Sequence, residues 1–194
     1  LPTVRGMFLL HDAANASPLA VMDASVLTAL RTGAVAAVAT KHLRTTAPTS
    51  LGIVGAGVQG YWLIRSHWEL WGAALPVRIA DRDSARAQAL KDQLLQEFPQ
   101  AAISLTSVQE AAAADVLCTA TPSRTPILDP SWIADGTHIN AMGADAPGKQ
   151  ELPVDVLQRA FIVVDAPEQA LSSGEVNVGL KQGTLAKSQI KGAL

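Results

Sequence analysis

Three glycines and one carboxylate carry the most specific chemistry in this sequence. Leu51-Gly52-Ile53-Val54 is a short apolar run, and Gly55-Ala56-Gly57-Val58-Gln59-Gly60 follows it as a complete G-x-G-x-x-G. In that order a strand turns into a helix around a dinucleotide. Gly55 permits the tight turn, Gly57 lets backbone N–H groups approach a pyrophosphate, and Gly60 lets the helix pack closely on the sheet. The phosphates then sit at a helix N-terminus, against free amides and the positive end of the dipole. The glycines alone would also fit an ordinary strand-to-helix loop. The next apolar run, Val77-Arg78-Ile79-Ala80, ends at Asp81, which falls about 20 residues past Gly60, the offset at which a carboxylate holds the adenosine ribose. That spacing ranks dinucleotide binding above the plain loop.

Asp81 also bears on which dinucleotide is bound. A carboxylate accepts from both ribose hydroxyls and repels a 2′-phosphate, so NAD is expected over NADP. Arg82 pulls the other way, since a guanidinium stacks on adenine or pairs with a 2′-phosphate. Asp83 adds a second negative charge and weakens the phosphate option. The remaining reactive side chains point to little. Cys118, the single cysteine, lies in the apolar run Asp115-Val116-Leu117-Cys118-Thr119-Ala120 and reads as a packed thiol with no disulfide partner. His11, His42, His67 and His138 lack metal-ligand spacing, so no metal is expected. Trp62, Trp68 and Trp71 recur at helical spacing and read as core or interface packing.

These residues need an open parallel sheet to position them. From Leu51 onward, apolar runs alternate with helical segments, which is the pattern of a doubly wound α/β fold of Rossmann type. The expected strands are 51–54, 77–80, 102–105, 116–120, 138–142 and 162–164, six in one sheet. Helices are expected over 59–71, over 84–98 with Ser84 as N-cap and Pro99 just beyond its end, and over 107–114. The first part differs: residues 7–11 and 19–22 read as two strands around a turn at Ala14-Asn15-Ala16-Ser17, and a long helix follows over 25–43. Thr45-Thr46-Ala47-Pro48-Thr49-Ser50 is polar and proline-bearing, so the domain junction is placed there. The division is residues 1–48 for part of an N-terminal domain, 49–170 for the dinucleotide-binding domain, and 171–194 for a linker or the start of a truncated return. Residues 181–194 read as linker or a helix cut short.

Composition agrees with a small-molecule protein. The chain of 194 residues is 48% hydrophobic, and 15 basic against 17 acidic residues leave a net charge of −2, without the electrostatic footprint of a nucleic-acid or membrane-surface binder. No apolar stretch of about 18 residues and no signal-peptide pattern occurs, so a soluble cytoplasmic protein is expected. Leu1 is not an initiator methionine, and the chain is expected to be an excerpt or a processed product.

Three segments together resemble the ornithine cyclodeaminase and mu-crystallin family: Met22-Asp23-Ala24 through Arg31-Thr32-Gly33-Ala34, then Gly55-Ala56-Gly57-Val58-Gln59, then Asn140-Ala141-Met142-Gly143-Ala144-Asp145-Ala146-Pro147-Gly148-Lys149. Ala120-Thr121-Pro122-Ser123 and Val164-Asp165 extend the match over nearly the whole chain. A glutamine within the glycine loop and an aspartate beyond the fifth strand are more specific than the glycines. The resemblance implies an N-terminal α+β substrate and dimerisation domain, present here in part, joined to a nicotinamide-binding fold. It implies deamination or imine reduction of small amino or imino acids. In the cyclodeaminases, hydride leaves the α-carbon for NAD, the side-chain amine closes on the imine, ammonia departs, and the same cofactor returns the hydride. Relatives use the hydride step alone, as alanine dehydrogenases or ketimine reductases.

Carried over by position, the resemblance makes Asp145 the catalytic aspartate, able to orient or deprotonate the substrate amine; without it, a turn aspartate before Pro147-Gly148 explains the residue as well. It places Arg31 and Thr32 on the cofactor phosphates from the other domain, with Thr3 near the cofactor too. Gly55, Ala56, Gly57, Val58 and Gln59 face the diphosphate, and Asp81 and Arg82 face the adenosine end. Thr121, Pro122, Ser123, Met142 and Gly143 border the ribose and nicotinamide, and Lys149 contacts the cofactor. Arg31 and Lys149 read in isolation as ordinary surface cations. The arginine and lysine that hold the substrate carboxylate in the family lie upstream of the segment matching Leu1. Gly33 stands where relatives usually have alanine, and Ala144 where some have glycine. The first expectation is therefore an NAD-dependent cyclodeaminase or oxidoreductase acting on a small amino or imino acid. The alternative is a non-catalytic dinucleotide-binding protein of mu-crystallin type. Other Rossmann enzymes fit less well, because no Tyr-x-x-x-Lys is present. The apolar strand pair before Ser25 leaves an edge for a second chain to cover, and a homodimer is expected.

Overall fold

The computed structural model describes residues 6–194. Thr3 lies outside the described residues. The chain opens with an antiparallel hairpin of β1 (Met7–His11) and β2 (Pro18–Asp23), leading into the helix α1 (Ala24–Leu43). Asp23 caps α1 by accepting from the Ser25 amide at 2.6 Å. Met7, Leu9, Leu19 and Val21 are all exposed on the hairpin, an apolar surface that the described residues leave uncovered.

Five parallel strands form the central sheet: β3 (Leu51–Val54), β4 (Val77–Ala80), β5 (Ile103–Leu105), β6 (Val116–Thr119) and β7 (His138–Ala141). Their order is β5-β4-β3-β6-β7, so the direction of winding reverses between β3 and β6. Every residue of β3 and β6 is buried, as expected where helices cover both faces of a parallel sheet and the strands become continuous apolar runs. On one face, Leu51, Ile53, Val77 and Ile79 pack against Leu63, Ile64 and Trp68 of α2 (Val58–Trp71) and Leu90 and Leu94 of α3 (Ser84–Glu97). On the other, Val54, Ala80 and Leu117 meet Ala111 and Ala112 of α4 (Val108–Ala112), Leu152, and Val156 and Leu157 of α5 (Val154–Arg159).

The elements fall close to the expected ranges, with four corrections. The sixth strand, β8 (Ile162–Val164), does not join the sheet. It pairs in parallel with β9 (Ile190–Ala193), beyond α6 (Pro167–Ala170) and α7 (Asn177–Gln182). An apolar run reports that a strand is buried and does not report which neighbour it pairs with. For the same reason residues 181–194, read as linker or helix, end in a strand. The cap of α3 is Asp83, whose carboxylate accepts from Ala85 and Arg86 amides at 3.0 and 3.3 Å, while Ser84 is already helical. The helix expected over 107–114 is shorter, and Ser107 and Glu110 close a reciprocal capping box at its start.

α1 belongs to the N-terminal segment yet packs along α2, which allows it to face the nucleotide fold. A methyl group at Gly33 would lie 2.4 Å from the Trp62 carbonyl oxygen, so the two helices approach too closely for alanine there. A buried polar chain reinforces the contact: Asn140 Nδ2 donates to Thr40 Oγ1 at 2.9 Å, and Thr40 Oγ1 lies 3.0 Å from His67 Nε2. His67 Nδ1 is 2.7 Å from the Leu63 carbonyl, which assigns the ring proton there. Burial pushes the His67 pKa down to about 4. Cys118 is buried in β6, and burial pushes its thiol up to about 12, far from a reactive thiolate. Among the described residues, no helix is long and apolar enough to cross a membrane.

Candidate functional site

The turn after β3 lies where the strand order reverses, the place at which open α/β sheets bind ligands. Gly55 holds φ at +112°, a value that side chains disfavour, and its amide bonds to the Ala80 carbonyl at 2.9 Å. A Cβ at Gly60 would lie 2.3 Å from the Gly55 carbonyl, which explains the third glycine by close packing of helix on turn. Gly57 is the N-cap of α2 and makes no side-chain cap bond, so the N-cap satisfies none of the first amides of this 14-residue helix. Gly57 and Val58 are exposed. That is the geometry of an anion site.

Asp81, at the end of β4, is tied to this turn. Its Oδ2 accepts from the Ala56 amide at 2.7 Å and its Oδ1 from the Asp83 amide at 2.9 Å. Each oxygen retains a lone pair for a ribose hydroxyl. Ala56 itself sits beneath the turn, almost buried. Gln59 Oε1 is buried and has no hydrogen-bond partner, an acceptor that a donor in the cleft would satisfy.

A single cleft of about 1460 Å³ runs from this turn across the carboxyl ends of β6 and β7 to α1. Gly55, Gly57, Val58, Gln59, Asp81 and Arg82 line one end, and Thr121, Pro122, Ser123, Met142, Gly143, Asp145 and Lys149 line the other. Arg31 and Thr32 border it from α1. Arg31 is exposed. The Thr32 hydroxyl donates to Thr28 O at 2.7 Å within its own helix. The Thr121 hydroxyl also points away, toward Glu151 at 2.7 Å, so Thr121 offers the cleft backbone and methyl group. Asp145 follows β7 and forms an ion pair with Lys149, in which the Asp145 side chain is 67% exposed and that of Lys149 only 19%.

Glu151, Glu175 and Asn177 organise this end, and none of them was expected from sequence. Glu151 is fully buried behind the cleft wall and accepts hydrogen bonds from Thr119, Thr121 and Gly143. The Glu175 carboxylate accepts from the Glu151 and Leu152 amides at 2.8 and 2.6 Å. Burial raises the Glu175 pKa to about 7, and the neighbouring Glu151 adds to the rise. Asn177 accepts from the Gly148 amide and donates to the Lys149 carbonyl. Charged residues in a polar stretch read as surface, and only the apolar Leu152-Pro153-Val154 directly after Glu151 hinted otherwise.

The architecture and its sequence have close counterparts. The family model described as the ornithine cyclodeaminase/mu-crystallin family matches residues 1–193. The alanine dehydrogenase of Archaeoglobus fulgidus is 38% identical over 98% of this chain and 58% of its own length. Among solved structures, an archaeal alanine dehydrogenase dimer with bound NAD superposes with a TM-score of 0.92 at 38% identity, covering 100% of this chain and 59% of the other. The Thermococcus litoralis Δ1-pyrroline-2-carboxylate reductase, in complex with NADH and L-proline, gives 0.91 at 30% identity, covering 100% and 60%. The chain thus spans about three fifths of the length of the relatives it matches.

Proposed function

The chain belongs to the ornithine cyclodeaminase/mu-crystallin family, and from that premise we propose that it forms the nicotinamide-dinucleotide site of an enzyme moving hydride at the α-carbon of a small amino or imino acid. The observation that carries the proposal is the uncapped N-terminus of α2 at Gly57 opening onto the same cleft as Asp81 and Asp145. In this reading the α2 amides and Arg31 hold the diphosphate, Asp81 holds the adenosine ribose, and the 121–123 and 142–143 turns bound the nicotinamide end. When bound, the nicotinamide supplies the donor or acceptor of the hydride. Asp145 holds the substrate nitrogen and exchanges a proton with it, and Lys149 balances the carboxylate charge. Residues 1–48 are assigned to the substrate and dimerisation domain, 49–170 to the dinucleotide domain and 171–194 to the return segment. The exposed β1–β2 face supports a homodimer, as the archaeal relative's dimer does.

Titrating the full-length protein with NADH and NADPH, then following reduced-cofactor absorbance with Δ1-pyrroline-2-carboxylate or with pyruvate and ammonia, tests the reading. We expect tighter binding of NADH and turnover of at least one imine. Tighter NADPH binding would overturn the Asp81 assignment, and binding without turnover of any amino or imino acid would favour a binding protein.

A further inference from the structure

Two buried carboxylates, Glu151 behind the cleft wall and Glu175 on its lining, take no part in the chemistry above. Glu151 is fully buried, with no cation among its hydrogen-bond partners. Its Oε1 accepts from the Thr121 amide and hydroxyl, both at 2.7 Å. Its Oε2 accepts from the Thr119 hydroxyl at 2.7 Å and the Gly143 amide at 2.9 Å. Each oxygen therefore takes one backbone N–H and one threonine hydroxyl, and both backbone groups come from the turns that follow neighbouring parallel strands. A Cβ built at Gly143 would lie 2.6 Å from the Glu151 carboxyl carbon, so the carboxylate rests directly on the Gly143 backbone.

Glu151 is itself held on both sides. Its amide donates to Glu175, and its carbonyl accepts from the Ile127 amide at 2.8 Å. Beyond the clamp, the Asp145 amide donates to the Gly143 carbonyl at 3.0 Å, which passes the placement of Gly143 on to Asp145. Lone acceptors satisfied four times over, with a backbone pressed against them, leave little freedom for rotation or drift.

We propose that Glu151 is a positioning residue that fixes the separation of the β6 and β7 turns, and so the width of the pocket for the nicotinamide half of the dinucleotide. The inference rests on the dinucleotide reading of the cleft. Glu151 touches neither substrate nor cofactor, and its effect is selective: the adenosine and diphosphate contacts are made by the glycine turn and Asp81, to which the Glu151 carboxylate makes no hydrogen bond.

The test compares ADP, which spans only the adenosine and diphosphate contacts, with NADH, which also reaches the clamped turns. In Glu151→Gln an amide N–H₂ must face an N–H donor, one clamp bond is lost, and the turns separate. NADH affinity should fall by about tenfold, the effect of one hydrogen bond lost with its partner left buried, while ADP affinity stays within twofold. Thr119→Val removes one donor at a position outside the cleft, keeps the shape, and should weaken NADH alone by about threefold if Glu151→Gln does not fold. Parallel loss of ADP and NADH, or no change in either, would overturn the proposal. Wild-type protein that binds neither ligand would instead remove the dinucleotide reading on which it stands.

Discussion

Asp145 and Lys149 meet at the mouth of the cleft with unequal freedom, the carboxylate largely in solvent and the ammonium largely covered. A substrate nitrogen approaching Asp145 therefore meets a carboxylate whose charge is already balanced but whose second oxygen is open. Replacing Asp145 with asparagine keeps the shape and removes the proton acceptor. We expect kcat/KM for imine reduction to fall by about 10² to 10⁴ with NADH affinity within about twofold, and full activity in stopped-flow absorbance would remove the role. At this scale the sequence was legible where one short segment holds the whole signal: Gly55 to Gly60 and Asp81 lie where their spacing placed them. Glu151 was not legible, because its partners Thr119, Thr121 and Gly143 come together only when β6 and β7 pair.

At the scale of elements, the α1–α2 contact makes Gly33 a packing requirement. Alanine at Gly33 would gain about 1 kcal/mol of helix propensity, yet its methyl would press on the Trp62 carbonyl, which belongs to backbone and cannot swing aside. Overpacking of that kind costs about 1–3 kcal/mol. Gly33→Ala should lower the thermal midpoint by a few degrees, and a midpoint unchanged or raised in calorimetry would show that the helices separate freely. The strands β3, β4 and β6 were readable because each is a continuous buried run. The pairing of β8 with β9 was not, since sheet membership depends on which edge is reachable in three dimensions. Likewise Ser84 and Asp83 are both good caps by type, and the longer reach of the Asp83 carboxylate to two amides decides between them.

For the whole molecule, two buried titrating groups set opposing pH dependences. His67 stays neutral down to about 4 in the fold and ordinarily takes up a proton near 6.5, so its contribution is lost as pH falls through that window. Glu175 keeps its proton up to about 7 instead of 4.5, so its contribution is complete below 4.5 and lost as pH rises through 7. Each amounts to about 3 kcal/mol at the far end of its window, and between 4.5 and 6.5 the two cancel. Glu175→Gln should uncover the His67 slope: relative to wild type, its stability by urea titration should gain about 1.4 kcal/mol per pH unit between 4.5 and 7. Parallel curves for the two proteins would refute the assignment.

The central strand has a consequence in time. Leu51 pairs with Val77 on one side and with Val116 on the other, and the glycine turn is closed from above by the Ala120 backbone, which a Cβ at Gly55 would strike at 2.5 Å. The ten residues that encode the turn therefore wait for a partner synthesised much later, and such distant pairings are slow to form. A nascent chain halted before Val116 has left the ribosome should carry the motif and have no affinity for a dinucleotide, acquiring it only as the fourth strand of the sheet emerges.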